Sequence, residues 1–310
     1  MDFKAEIQSL ISQQEAEILG VNINSNRFDP KLDFVFKAIF TSDREESRIA
    51  RIDFLSAILK LDIESADVIQ NELAVLSANE KKSTFDIHIR LTDKTEINVE
   101  IQLKNDDNMI NRAEYYTCKM YGSQEAKGKA WADLHKVIEL MIVNFTLFSE
   151  RKEFLDEYTY RNKEGKELSG NTKIYFLELT KLANLLKKPV DEMTAEEMWA
   201  IFLKFGNNEK HYDVIKQISK RRRAIDMAGQ VLDTISSDRA TQLMYMDRMK
   251  FETDQISKVI FAERKGRSEG LREGRREGML AIARNLKNMG LAIDDIVKGT
   301  GLSSTEIEQL

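Results

Sequence analysis

From Phe85 to Lys104 the chain alternates apolar and polar residues, and the phase of that alternation limits its possible folds more than any other stretch. Phe85, Ile87, Ile89 and Leu91 interleave with Asp86, His88, Arg90 and Thr92. Further on, Ile97, Val99, Ile101 and Leu103 interleave with Asn98, Glu100, Gln102 and Lys104. A period of two puts each set on one face of its own strand. The connection "LTDKTE" is short, which predicts antiparallel pairing. A two-residue turn at Asp93–Lys94 would set Asp86 opposite Ile101 and mix oily with polar faces. Burying both apolar sets together requires an odd-length loop or a bulge. That register brings Asp86 to face Glu100 or Gln102.

The rest of the chain supplies the other layers. "KVIELMIVNFTLF" and "TKIYFLELT" (172–180) are nearly continuous apolar runs, the pattern of strands buried on both faces. Another strand-like piece covers Asp67–Leu76. Helical spacing runs through "RFDPKLDFVFKAIF", with Pro30 at the expected helix start, through "SRIARIDFLSAILKL", and through residues 107–130. Only two prolines in 310 residues favour long helices, and the 42% of hydrophobic residues are enough for a core. These patterns predict an α/β fold with a helical C-terminal region.

Residues 1–26 read as one capping helix ahead of a core at 27–192, with a helical region at 193–262 and a charged tail at 263–310. In that tail glycine recurs every fourth residue, at Gly266, Gly270, Gly274 and Gly278. Each costs a helix about 1 kcal/mol, so the row marks either the close approach of another helix or a flexible charged linker. "LAIDDIVKGTGLSSTEIEQL" reads as a short helix–turn–helix with Gly301 in the turn and Ser303 or Ser304 as N-cap. Its acidic second helix suits packing or self-association better than reading a DNA groove.

Several classes of site are poorly supported. A single cysteine, Cys118, excludes an intrachain disulfide and fits a reducing cytoplasm. His88, His135 and His211 are too dispersed for a zinc signature. No apolar run matches a secretory signal or a membrane span, so a cytoplasmic protein is expected. A net charge of -5 does not advertise nucleic-acid binding, although "SKRRRAID" (219–226) is a short basic cluster.

Two carboxylates at close range repel, and one loses its charge unless a cation sits between them. Asp86 and Glu100 could hold Mg²⁺ with waters and phosphate oxygens, polarising a phosphoryl group and activating water. Gln102 shares the face of Glu100 and could orient that water. The polar face of a half-buried sheet more often meets solvent, and the residues alone leave both readings open.

The ordered set of motifs resembles the PD-(D/E)XK nuclease superfamily, in particular its recombination-promoting, transposase-like branch. Asp86 matches the acid on the first strand and "NVEIQ" the second motif, with Glu100 and Gln102. "KLDFVFKAIF" matches an upstream motif through Asp33, Phe36 and Lys37. "NRAEYYTCKMYGSQ" matches a downstream one through Arg112, Tyr115 and Tyr116. Phe85 stands where the superfamily name has proline, and Gln102 stands where the better-known pattern has lysine. The missing positive charge then falls to Lys104, on the expected strand face, or to Lys37 and Arg112 on flanking helices.

The resemblance implies a restriction-endonuclease-like core, a central mixed sheet flanked by helices. It implies a Mg²⁺-dependent DNA endonuclease, with Mn²⁺ as a substitute, linked to recombination or mobile-element activity. Asp86, Glu100 and the Ile101 carbonyl would bind metal, while Gln102 and Lys37 would complete the catalytic set. Lys104, Arg112 and Tyr116 would contact DNA. The alternative is a weak or inert nuclease-fold protein that acts through homo-oligomerisation or partner binding by its C-terminal helices.

Overall fold

A computed structural model describes residues 2–69, 86–105, 107–124 and 131–310. Phe85, residues 70–76 of the expected first strand and residues 125–130 of the expected helix lie outside these. The chain divides into two compact units, Met1–Lys250 and Phe251–Leu310.

The first unit is built on a six-stranded sheet. Its strands are β1 (Ala66–Ile69), β2 (Ile87–Leu91), β3 (Glu96–Gln102), β4 (Val137–Val143), β5 (Leu155–Thr159) and β6 (Thr172–Glu178). Their spatial order is β1-β2-β3-β4-β6-β5. β3, β4 and β6 run parallel, and β1–β2, β2–β3 and β5–β6 pair antiparallel. The two apolar runs are therefore the central parallel strands, and every residue of β4 is buried. β5 has no counterpart in the sequence reading, because its "LDEYT" is a short, largely polar edge strand.

The hairpin takes the register that its apolar residues demand. Ile87 faces Val99, His88 faces Asn98 and Ile89 faces Ile97. The connection is odd: Thr92, Asp93 and Lys94 lie between Leu91 and Thr95, closed by Leu91 N–H to Thr95 O at 2.9 Å. Lys94 takes the left-handed φ of 67° that ends such a loop.

Helices cover both faces. α3 (Asp33–Thr41) packs against β3, and α4 (Glu45–Leu59) packs against α3, β1 and α6 (Ala195–Phe205). Phe36, Phe40, Phe54 and Trp199 form one aromatic cluster there. On the other face α5 (Met109–Ser123) seats Met109 and Ala113 on Met141 of β4 and Phe176 of β6. That helix roofs the polar side of the hairpin, so Asn98 and Glu100 are fully buried rather than wet.

Two boundaries differ from expectation. Residues 1–26 hold two helices, α1 (Phe3–Leu10) and α2 (Gln13–Leu19). They are separated because Ser12 starts α2 with a capping box to Glu15. Pro30 precedes α3 by three residues. It is the second residue of a turn closed by Leu32 N–H to Asp29 O at 3.1 Å, and the helix begins at Asp33.

The helical region continues with α7 (Tyr212–Arg221), α8 (Arg223–Ser237) and α9 (Arg239–Asn288). The basic cluster lies at the α7–α8 junction, where Arg221 pairs with Asp191 and Arg222 with Asp53, at 2.8 and 2.6 Å. In the second unit the glycine row is helical, and a methyl group added at any of the four would meet nothing within 4 Å. The end of α9 packs with α10 (Ile293–Thr300) and α11 (Ser304–Glu308) around Ala283, Ile296, Leu302 and Ile307. Gly301 turns the chain at φ 71°, and Ser303 caps α11. Among the described residues no helix is long and apolar enough to cross a membrane.

Candidate active site

Glu100 sits in the middle of the buried polar face of β3 and has no solvent exposure. Asp86 lies one residue ahead of β2, so the hairpin register carried one step further sets it across from Glu100. Its Oδ2 accepts from the Ile101 backbone N–H at 3.4 Å, which ties it to the strand that carries Glu100. The hairpin register thus sets the two acids across from each other, and the charge of Asp86 acts on Glu100.

Each acid has its own cation. Lys37 on α3 places Nζ 3.3 Å from Asp86 Oδ1 and 2.8 Å from Asp33 Oδ1 one helical turn earlier. Arg112 on α5 places Nη2 2.8 Å from Glu100 Oε2. That contact is ionic and off the hydrogen-bonding direction. Among the described residues Glu100 Oε2 and Arg112 Nε make no hydrogen bond. Tyr116, one turn further along α5, lies under the guanidinium, 5.4 Å from ring centre to Cζ. It also packs on Met120 and Val137.

Burial raises the Asp86 carboxyl, and the negative field of Asp33 adds to this against the pull of Lys37. Glu100 is pushed up to about 7 by burial, opposed by Arg112 and reinforced by Asp86. Burial pulls Lys37 down, but its bond to Asp33 and the charge of Asp86 outweigh that and hold it above the usual lysine range. These are groups whose protonation a bound cation would change.

Gln102 closes β3, half-buried, on the same face as Glu100. Lys104 does not share that face: β3 ends at Gln102 and Lys104 lies exposed in the following bend. Of the cations that could replace the missing lysine, the fold brings Lys37 and Arg112 to the acids and leaves Lys104 outside. Tyr115 is exposed. His88 is buried and meets Glu96 Oε2 at 3.2 Å.

Two residues that sequence reasoning did not single out complete the cluster. Asn98 on β3 and Glu139 on β4 are direct partners in the parallel register. Asn98 Nδ2 donates to both oxygens of Glu139, at 2.9 and 3.0 Å, and reaches Glu100 Oε1 at 3.4 Å. The signal was present: Glu139 is the one charged residue in an otherwise apolar strand.

No set of three or more His, Cys, Asp or Glu side chains among the described residues is arranged to hold a metal ion. The donors that are present suit a smaller protein contribution of two carboxylates, with Glu100 Oε2 buried and lacking a hydrogen bond. Hard oxygen donors in that number match a cation that keeps most of its waters.

A family model described as PD-(D/E)XK nuclease family transposase matches residues 30–262. No curated protein and no solved structure matches the chain.

Proposed function

The chain belongs to the PD-(D/E)XK nuclease family transposases, and on that footing we propose that it is a metal-dependent DNA endonuclease whose catalytic acids are Asp86 and Glu100. Membership makes it a nuclease- and transposase-related protein with the restriction-endonuclease-like fold, a mixed sheet flanked by helices. Nucleases of this family generally use divalent metal ions. The observation that carries the proposal is the pair of raised carboxyls, Glu100 buried and Asp86 half-buried, each faced by a cation.

In this reading Asp86, Glu100 and the Ile101 carbonyl hold Mg²⁺, or Mn²⁺ in its place. The metal, when bound, supplies positive charge to the phosphoryl oxygens and lowers the pKa of a bound water. Gln102 orients the attacking water through its amide. Lys37 offers the positive charge that a lysine at position 102 would have given. Arg112 and Tyr116 line the same face from α5 and contact the DNA backbone, with Lys104 on the exposed bend as a further phosphate contact. Recombination or mobile-element activity in a cytoplasm is the setting that fits the family and the unpaired Cys118.

A second reading has its own observation. The open, helical glycine face of α9 and the lack of a lysine at 102 suit a weak or inert nuclease fold acting through homo-oligomers. Plasmid nicking with Mg²⁺ or Mn²⁺ separates the two. Nicking by wild type that Asp86→Ala abolishes supports the enzyme, and equal nicking by both proteins, or none by either, overturns it.

A further inference from the structure

Glu139 is an unexpected residue for its position. Every other member of β4 is apolar and the strand is buried throughout. A carboxyl there is expensive to keep, and a leucine of similar volume would normally serve packing better. Burial, then the neighbouring Glu100, push its pKa well above the ordinary range. A residue with that cost and no packing advantage calls for a role in what it touches.

What it touches is Asn98. The amide nitrogen of Asn98 is held by two bonds of 2.9 and 3.0 Å to Glu139 and by a longer one of 3.4 Å to Glu100. The Asn98 carbonyl oxygen, also buried, has no hydrogen bond among the described residues. The amide is therefore oriented by its donor end, and the stronger anchor is Glu139. The consequence reaches Glu100: one oxygen is steadied by Asn98 and the other, without a hydrogen bond, is left on the side of Arg112.

We propose that Glu139 is a positioning residue that, through Asn98, sets the orientation of the Glu100 carboxylate and keeps its Oε2 clear of hydrogen bonds, turned to the side where a cation stands. This rests on the reading of Glu100 as a metal ligand. Groups that orient a metal ligand from behind typically change metal affinity by 10–100-fold when removed. Glu139 stands in that relation to Glu100, which it reaches through Asn98.

The test uses the full-length protein. Glu139→Leu keeps the volume and removes both acceptors, and Glu139→Gln keeps one acceptor for Asn98. Mn²⁺ affinity by calorimetry should fall about ten-fold in Glu139→Leu and be largely restored in Glu139→Gln. Asn98→Ala should match Glu139→Leu, and the double variant should be no worse than either alone. A crystal structure of metal-free Glu139→Leu should show the Asn98 amide turned fully onto Glu100. Wild-type Mn²⁺ affinity in Glu139→Leu, additive losses in the double variant, or an unmoved Asn98–Glu100 pair would each overturn the proposal. If wild type and Asp86→Ala alike bind no Mn²⁺, the nuclease reading falls. The metal-free Asn98–Glu100 geometry then still decides whether Glu139 positions Glu100.

Discussion

Arg112 on α5 stands 2.8 Å from Glu100 on β3, a half-exposed guanidinium closing over a carboxylate with no solvent contact. Removing the cation leaves a buried acid unpaired, which is where such pairs cost most. Arg112→Ala is expected to lose on the order of 2 kcal/mol in urea denaturation. In a Glu100→Gln background most of that loss should vanish. A full loss in both backgrounds would mean that Arg112 stabilises α5 by packing alone.

The raised carboxyls predict a particular pH dependence of the metal-free protein. An acid whose folded pKa lies above its unfolded value binds protons more tightly when folded. Its stabilising contribution is complete below the unfolded pKa and is lost as pH rises through the folded one. For Glu100 that window runs from 4.5 to about 7, worth about 3 kcal/mol. Asp86 and Glu139 shift in the same direction. In EDTA the wild type should therefore lose stability between pH 5 and 8 relative to Glu100→Gln. Parallel stability curves for the two proteins would rule out a shifted Glu100.

On the proposed reading Lys37 supplies the charge that Gln102 lacks. Lys37→Ala is expected to reduce plasmid nicking by about a hundred-fold. Gln102→Lys, half-buried on the face of Glu100, should recover part of that loss in the Lys37→Ala background. No recovery, with the double variant folded, would separate the two positions functionally.

The glycine row of α9 gives a sign test. In an isolated helix with open space at each position, Gly270→Ala and Gly274→Ala should each stabilise by about 1 kcal/mol. If a second copy packs along that face, the added methyl groups obstruct it. The expected outcome is a smaller mass by light scattering for the double variant, matching that of a chain lacking residues 263–310. An unchanged mass in both would end the homo-oligomer reading.

Much of this architecture is legible in the chain because burial leaves a pattern. β4 and β6 are read from uninterrupted apolar runs, and the hairpin's phase follows from one shared oily face. Asp86 and Glu100 come together for the same reason. The roof over the polar face is not legible in the same way, since it depends on α5 crossing between two parallel strands. The Asn98–Glu139 pair is likewise set by parallel pairing between residues distant in sequence. Lys104 departs from the expected strand face because the alternation continues past the strand's end. The chain must leave β3 at Gln102 to turn through Asp107, at φ 60°, and seat Met109 on Met141.

The odd loop between Leu91 and Thr95 imposes a parity constraint on a surface turn. Insertions in exposed loops are usually cheap. Here one added or deleted residue would shift the hairpin phase by one and send either the oily set or the acids to the wrong side. A change of two residues restores the phase. Loop variants of this protein should therefore sort by odd or even change in length, with tolerance following arithmetic rather than exposure.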